Sequence, residues 1–157
     1  MGYNLYIGES KLESDIEEYW CRWTAKPKIL KKAPFFEGDD LSNHNNSRSP
    51  SYTQWWDFCK EVNLIDVFYE DRGFKGGHPG CFKLTKEHLI TFREALKKRE
   101  QIDKRPAGLD ERYINNIFAK FPDGEETHDY NKVRLIWLIW WTNWALNNCK
   151  NPTFSNS

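Results

Sequence analysis

The feature that most constrains the fold is the apolar segment from Leu135 to Trp141. At helical spacing its large side chains point in every direction, so a helix here has no polar face to leave in water. Other elements must therefore cover it from several sides. The segment is followed by Thr142 and Asn143 and is much shorter than the roughly 20 apolar residues that cross a bilayer. It predicts a buried central helix from about Asp129 to Cys149 and no membrane anchor.

Composition favours one domain built around this helix. The chain has 157 residues, of which 16% are aromatic, so its core is aromatic rather than aliphatic. A chain of this length buries about two thirds of the surface that it exposes when unfolded, and it needs no metal or covalent staple to do so. We predict a single globular domain over residues 1–150, followed by a flexible tail over residues 151–157.

Charge and cysteine spacing narrow the partners and the compartment. Lys plus Arg and Asp plus Glu both number 23, so no global field attracts nucleic acid or a membrane, and any anion site must be local. The first residues lack a basic region followed by an apolar one, which favours the cytoplasm. The cysteines have no C-x-x-C spacing, so we interpret them as buried free thiols and expect no metal and no cofactor. They are Cys21, Cys59, Cys81 and Cys149.

Periodicity predicts an α+β fold. Alternation of apolar residues predicts strands over Tyr3 to Ile7 and over about Tyr19 to Ile29, which together would form an N-terminal antiparallel hairpin. Four helices follow, marked by capping residues and by apolar residues at helical spacing. They cover about Pro50 to Val62 with Ser49 as the cap, Thr85 to about Glu100, about Leu109 to Phe121, and Asp129 to Cys149. The small sheet is expected to pack on these helices, with the last helix central.

Two irregular segments are the places to look for a site. Residues 33–48 form a long polar loop, and Asp71 to Gly80 carries four of the nine glycines and is interpreted as a mobile loop. Loops longer than about 12 residues in compact domains are often functional. The first loop runs into a helix start, where backbone N–H groups and the helix dipole favour an anion. An ordinary polar loop with a capped helix explains the same residues without a ligand.

The functional interpretation is a site for a small phosphate-bearing nucleotide between these two loops. Arg48 would hold phosphate, Tyr52 or Trp55 would stack on the base, and Lys75 with His78 would close the site. A homo-oligomer is expected because such pockets are often completed between subunits. The predicted ligand-binding residues are Asn46, Ser47, Arg48, Ser51, Tyr52, Trp55, Lys75 and His78.

The tryptophans are expected mainly in the core. Those of the last helix, from Trp137 to Trp144, are assigned to its buried surroundings. Trp55 and Trp56 point about 100° apart on a helix, so at most one of them faces the core squarely. The other is free to line a cleft.

Two other functions remain open. A phosphodiesterase-type hydrolase would use His78 with His88 or His44 as acid and base, although no catalytic motif such as H-E-x-x-H or G-x-S-x-G is present. No catalytic residue is therefore assigned. A module that binds a host protein through an exposed aromatic patch is the second alternative.

Three short motifs stand out in the chain. They are G-Y-N-L-Y-I-G from Gly2 to Gly8, N-S-R-S-P-S-Y from Asn46 to Tyr52, and H-P-G-C from His78 to Cys81. Together with the tryptophan-rich ending from Leu135 to Leu146, they resemble a family of small uncharacterised proteins encoded by bacteriophages and bacteria. The resemblance brings no chemistry to any residue. If the source is viral, it implies a counter-defence protein that sequesters cyclic nucleotide or cyclic ADP-ribose signals in the host cytoplasm.

Overall fold

The computed structural model describes residues 1–10, 46–71, 73–105, 107 and 129–156. Over these ranges it combines a small antiparallel sheet with helices, which confirms the α+β class. The strands are β1 (Leu5–Glu9), β2 (Ser47–Arg48), β3 (Tyr69–Glu70), β4 (Gly73–Phe74), β5 (Gly80–Lys83) and β6 (Pro152–Asn156). The helices are α1 (Tyr52–Glu61), α2 (Ile65–Phe68), α3 (Lys86–Ile102) and α4 (Tyr130–Asn148). The strand predicted over residues 19–29 and the helix predicted over residues 109–121 lie outside the described residues.

Within the described residues, the main sheet has four strands in the order β2-β1-β6-β5, and every pair in it is antiparallel. In this register Leu5 lies beside Arg48 on one side and beside Asn156 on the other. The described neighbours of β1 are therefore β2 and β6, which come from distant parts of the chain. The remaining two strands, β3 and β4, form a separate hairpin.

The prediction of a flexible C-terminal tail is wrong for Pro152 to Asn156. These residues form β6, which lies between β1 and β5, and all five of them are buried. Phe154 is fully buried and packs against the rings of Phe68 and Phe82 at 5.0 and 5.2 Å. The polar composition of this segment suggested solvent exposure, but its backbone polar groups are paired on both edges, so a polar strand is tolerated in the interior.

Helix α1 begins two residues later than the sequence suggested. Ser51, rather than Ser49, is the N-cap: its hydroxyl accepts from the backbone N–H of Gln54, and the Gln54 side chain accepts from the N–H of Ser51. This reciprocal capping box satisfies two N–H groups, which a cap at Ser49 followed by proline would not do. At the other end Asn63 takes a positive φ of 58°, a common way to end a helix.

Helix α3 begins at the cap that the sequence predicted. Thr85 accepts from the backbone N–H of His88, and Nδ1 of His88 accepts from the backbone N–H of Thr85 at 3.0 Å. The helix then runs through Leu89 and Phe92, which are buried, to Ile102.

The core lies where the helices pack on one face of the sheet. Leu5 and Phe154 from the sheet join Trp55 of α1 and Trp137 of α4 in a single buried cluster. Helix α4 packs against α3, β1 and β6, which confirms its central position. Of its tryptophans, Trp137, Trp141 and Trp144 are buried, while Trp140 is half-buried and packs edge-on against Trp141.

An ion-pair cluster joins the end of α3 to the start of α4. Arg99 donates to both carboxylate oxygens of Asp129, at 2.7 Å from Nε and 3.2 Å from Nη2. Asp129 is also the N-cap of α4, and its side chain is only 3% exposed. Asp103 receives further bonds from Arg99 and Arg105, and these guanidinium groups hold the pKa of its carboxyl below the ordinary range.

The expectation of four free thiols is wrong for Cys81, which is disulfide-bonded. Cys59 and Cys149 are free, and burial raises the pKa of both thiols, that of Cys149 to about 12. Neither free thiol is therefore a ready nucleophile. Across the described ranges, no helix combines the length and apolar character needed to cross a membrane.

Candidate functional site: the aromatic surface around His78

Four chain segments converge at one end of the sheet. The N-terminal segment reaches the start of α1 through a bridge between Gly2 and Ser51 and a hydrogen bond from the Tyr3 N–H to the Pro50 carbonyl at 3.0 Å. A side chain at Gly2 would place its Cβ 2.3 Å from the Pro50 oxygen, so only glycine permits this approach. The turn before β5 and the end of β6 complete the convergence and bring His78 and Asn156 to the same place.

Residues 75–79 form a compact turn between β4 and β5, which corrects the interpretation of Asp71 to Gly80 as an irregular loop wherever the structure describes that segment. Gly76 and Gly77 have φ values of 82° and 88°, and Gly77 donates to the Phe74 carbonyl at 2.8 Å. A Cβ at Gly80 would lie 1.9 Å from the oxygen of Gly76. The glycines are therefore needed for close backbone packing, which fixes the position of His78. The His78–Pro79 peptide bond is cis.

A chain of three hydrogen-bonded side chains crosses this site. The Tyr52 hydroxyl lies 3.1 Å from Nε2 of His78, and Nδ1 of His78 bonds to Oδ1 of Asn156. The amide nitrogen of Asn156 donates to the Gly77 carbonyl at 2.9 Å, which fixes the orientation of the amide. Because Oδ1 can only accept, Nδ1 of His78 must carry a proton. In the neutral imidazole Nε2 is then the acceptor, and the Tyr52 O–H donates to it.

The three members differ in their exposure to water. Asn156 is 2% exposed, whereas Tyr52 is 37% exposed and His78 is also exposed. The chain of hydrogen bonds thus runs from a rigid interior amide to a hydroxyl at the surface. Such an arrangement holds an exposed imidazole in one orientation.

Aromatic rings surround this chain and form what we call the α1 aromatic surface. Tyr3 lies beneath it, with its ring centroid 4.6 Å from Tyr52 and 5.0 Å from His78. Trp56 follows Tyr52 by one helical turn and is 44% exposed. Its ring packs on Tyr69 in a T-shaped arrangement, with the two ring centroids 4.9 Å apart. Residues four apart lie on the same side of a helix, so Tyr52 and Trp56 present one continuous face. The surface comprises Tyr3, Tyr52, Trp56, Tyr69 and His78.

Trp55 and Trp56 point to different sides of α1, as their spacing in the sequence predicted. Trp55 is fully buried and packs on Phe58 and Phe68 at 4.9 and 5.2 Å, so the stacking role suggested for Trp55 is wrong. Trp56, which was not among the predicted binding residues, is the exposed one. Its sequence signal was the 100° angle to Trp55, which placed one of the two indoles outside the core.

Three of the polar residues predicted to bind the ligand instead form contacts with the protein backbone. Asn46 is 2% exposed; its side-chain amide donates to the Ile7 carbonyl at 3.0 Å, and its backbone carbonyl accepts from the Ile7 N–H. Ser47 pairs with Tyr6 in the sheet, and Ser51 caps α1. These contacts explain Asn46, Ser47 and Ser51 by the fold alone.

The two predicted cations have different positions relative to His78. Arg48 shares a sheet row with Leu5 and Asn156, so it lies two strands, or about 10 Å, from the residue that holds His78. Its guanidinium lies over the Trp137 ring, 5.3 Å from the centroid. The Lys75 amine instead reaches the Asp66 carbonyl at 3.5 Å and acts electrostatically on His88. Lys75 therefore faces α2 and α3, whereas His78 faces α1.

His88 occupies a structural position. Burial, and then the nearby charge of Lys75, lower the pKa of its imidazole. Its Nδ1 is used in the capping box of α3, which weakens its case as a catalytic base. His44 lies outside the described residues. In the part of the chain that the structure describes, no group of three His, Cys, Asp or Glu side chains is placed to hold a metal ion.

Asn156 is the functional candidate that the sequence did not reveal. It was assigned to a flexible tail, and a single asparagine in a polar segment carries no signal of its own.

No family model, curated protein or solved structure matches the chain, so the resemblance to phage and bacterial proteins stays a prediction.

Proposed function

We propose that the protein binds a small phosphate-bearing nucleotide, of the cyclic nucleotide or cyclic ADP-ribose type, on the α1 aromatic surface. The observation that carries this proposal is the pairing of two exposed aromatic side chains, Tyr52 and Trp56, with an imidazole that is fixed in orientation. Aromatic faces stack on nucleobases with a gain of about 1–3 kcal/mol per base. The adjacent hydroxyl and imidazole supply polar groups for a phosphate.

The biological role that we propose for this binding is sequestration. A phage-encoded protein of this kind would remove a nucleotide immune signal from the host cytoplasm without cleaving it. A homo-oligomer would enlarge the pocket, since one surface alone covers only part of a nucleotide.

Thermal unfolding against a panel of nucleotides tests this function. The panel contains 3′,5′-cyclic AMP, cyclic di-AMP, cyclic di-GMP and cyclic ADP-ribose. A ligand at 100 times its Kd adds about 2.7 kcal/mol to the free energy of unfolding. Trp56→Ala should reduce the shift by about 1–2 kcal/mol, whereas Ile90→Ala, which removes an apolar side chain 50% exposed on α3, should preserve it. No shift with any member of the panel would refute the proposal and favour a protein partner.

A hydrolase is the second candidate because the hydrogen-bonded order is that of a nucleophile, a base and an orienting group. In this alternative His78 accepts a proton from Tyr52 or from a water molecule, and Asn156 takes the orienting position. The earlier pairing of His78 with His88 is not needed. Heat denaturation after incubation separates the two functions, since sequestration returns intact ligand and hydrolysis returns product.

A further inference from the structure

We propose that Tyr52 recognises the anionic oxygen of the ligand and that its hydroxyl becomes a donor to this oxygen only when His78 is protonated. This inference rests on the proposed function and names the chemistry of that site: a phosphodiester bound together with one proton. It follows from the direction of each hydrogen bond in the chain from Asn156 to Tyr52.

With neutral His78 the surface offers the wrong polarity to an anion. Asn156 keeps the proton on Nδ1, so Nε2 has a lone pair and takes the Tyr52 proton across 3.1 Å. The Tyr52 oxygen then presents only lone pairs to solvent. A phosphate oxygen placed there meets another acceptor, and the two repel.

Protonation of His78 reverses this polarity without moving a heavy atom. Nε2 now donates to the Tyr52 oxygen, while Nδ1 continues to donate to Asn156, because both nitrogens of an imidazolium are donors. The Tyr52 hydroxyl keeps its proton, which no longer bonds to Nε2 and points outward at the ligand. The positive charge of the imidazolium lies directly behind the Tyr52 hydroxyl, at the other end of their hydrogen bond, and attracts the phosphate.

The described contacts of His78 come from three other elements of the fold. Tyr3 approaches it from the N-terminal segment, Tyr52 from α1 and Asn156 from β6. The two tyrosines are the titratable side chains among these contacts. On its own turn, Lys75 directs its amine to the Asp66 carbonyl. Among the described contacts of His78, no charged side chain competes with the ligand for the imidazolium.

Calorimetric titration of the phosphodiesters in the panel, from pH 8 to pH 5, tests the inference. A phosphodiester group has no second ionisation, unlike a phosphate monoester whose second pKa is about 6. Each phosphodiester group therefore keeps a single negative charge over this range, and the pH dependence belongs to the protein. We expect affinity to rise on acidification, by at most about tenfold per pH unit for one linked proton. Titration in buffers of different ionisation enthalpy should show uptake of up to about one proton per ligand.

Three variants assign the effect. His78→Gln keeps a polar side chain but cannot titrate, so binding should become weak and independent of pH. Tyr52→Phe should weaken binding most at low pH, where its hydroxyl would donate. Asn156→Asp places a carboxylate against Nδ1 and favours the imidazolium, so the rise in affinity should move to higher pH. This last shift separates a positioning role from a purely structural one, and Ile90→Ala is the unchanged control.

The outcomes separate the two proposals. Binding that is independent of pH in the unsubstituted protein, or equally pH-dependent in His78→Gln, overturns the inference and leaves the proposed function standing. Absence of binding to every phosphodiester at every pH overturns the inference, and absence of binding to cyclic ADP-ribose as well overturns the proposed function. Thermal unfolding of each variant confirms that it is folded before its titration is read.

Discussion

Two polar clusters in this molecule make opposite use of hydrogen bonding. At the junction of α3 and α4, Arg99 and Asp129 are charged, largely buried, and bonded to each other through both carboxylate oxygens. At the end of the sheet, Tyr52, His78 and Asn156 form a chain of hydrogen-bonded side chains that ends at the surface. In the first cluster the polar groups bond to one another, and these bonds join α3 to α4. The second leaves a hydroxyl facing solvent, which is what a binding site requires.

The largest expected effect breaks the first cluster. Arg99→Ala leaves the Asp129 carboxylate buried without its main partner, which costs about 3–5 kcal/mol of the free energy of unfolding. Urea denaturation measures this loss. The matched control is Arg105→Ala, because Arg105 also bonds to Asp103 but its side chain is 41% exposed. Equal losses in the two variants would show that the bidentate pair has no special role.

An intermediate effect is expected from Asn156→Ala in the second cluster. The change leaves the Gly77 carbonyl without its amide donor, in a partly buried position, and removes the partner of His78. Unsatisfied neutral groups cost about 1–3 kcal/mol, less than an unpaired buried charge. Denaturation in urea should therefore place this variant between the unsubstituted protein and Arg99→Ala. A loss above that of Arg99→Ala would reverse the comparison.

A third prediction concerns His88, which belongs to neither cluster. Because its folded-state pKa is lowered, the unfolded chain takes up a proton that the folded protein resists. The stabilising contribution is complete above the unfolded pKa of about 6.5 and is lost as pH falls below it. His88→Gln should flatten this dependence while preserving the capping box, since glutamine fits the same position. Thermal unfolding from pH 8 to pH 5 checks it, and an unchanged slope would contradict it.

The smallest effect on stability should come from Tyr52→Phe. Its hydroxyl is exposed and water replaces its bond to His78, so the free energy of unfolding should change by about 1 kcal/mol or less. Ligand binding, by contrast, should weaken clearly. A large loss of stability would assign Tyr52 to the structural scaffold with the Arg99 cluster.

The sequence predicted those elements whose signals are local. The all-round apolar segment from Leu135 to Trp141 required a buried helix, and Thr85 with the periodicity after it required a capped one. Strand β6 has no such signal, because its place in the sheet depends on pairing with residues far away. Asn156 was missed for the same reason, since its role arises only when the end of β6 meets the turn at His78. The angle between Trp55 and Trp56 predicted that one of the two faces outward, but it did not predict which one.

The pairing of Leu5 with Asn156 spans 151 residues of the sequence. Contacts of such long range slow folding, since a long loop must close before they form. During synthesis, β1 leaves the ribosome long before β6, the strand that will pair with it. The apolar side chains of β1 therefore stay partly exposed to solvent until β6 is made. Premature termination anywhere before residue 152 would leave β1 and β5 without the strand that joins them, so truncated chains should aggregate rather than accumulate as partly active protein.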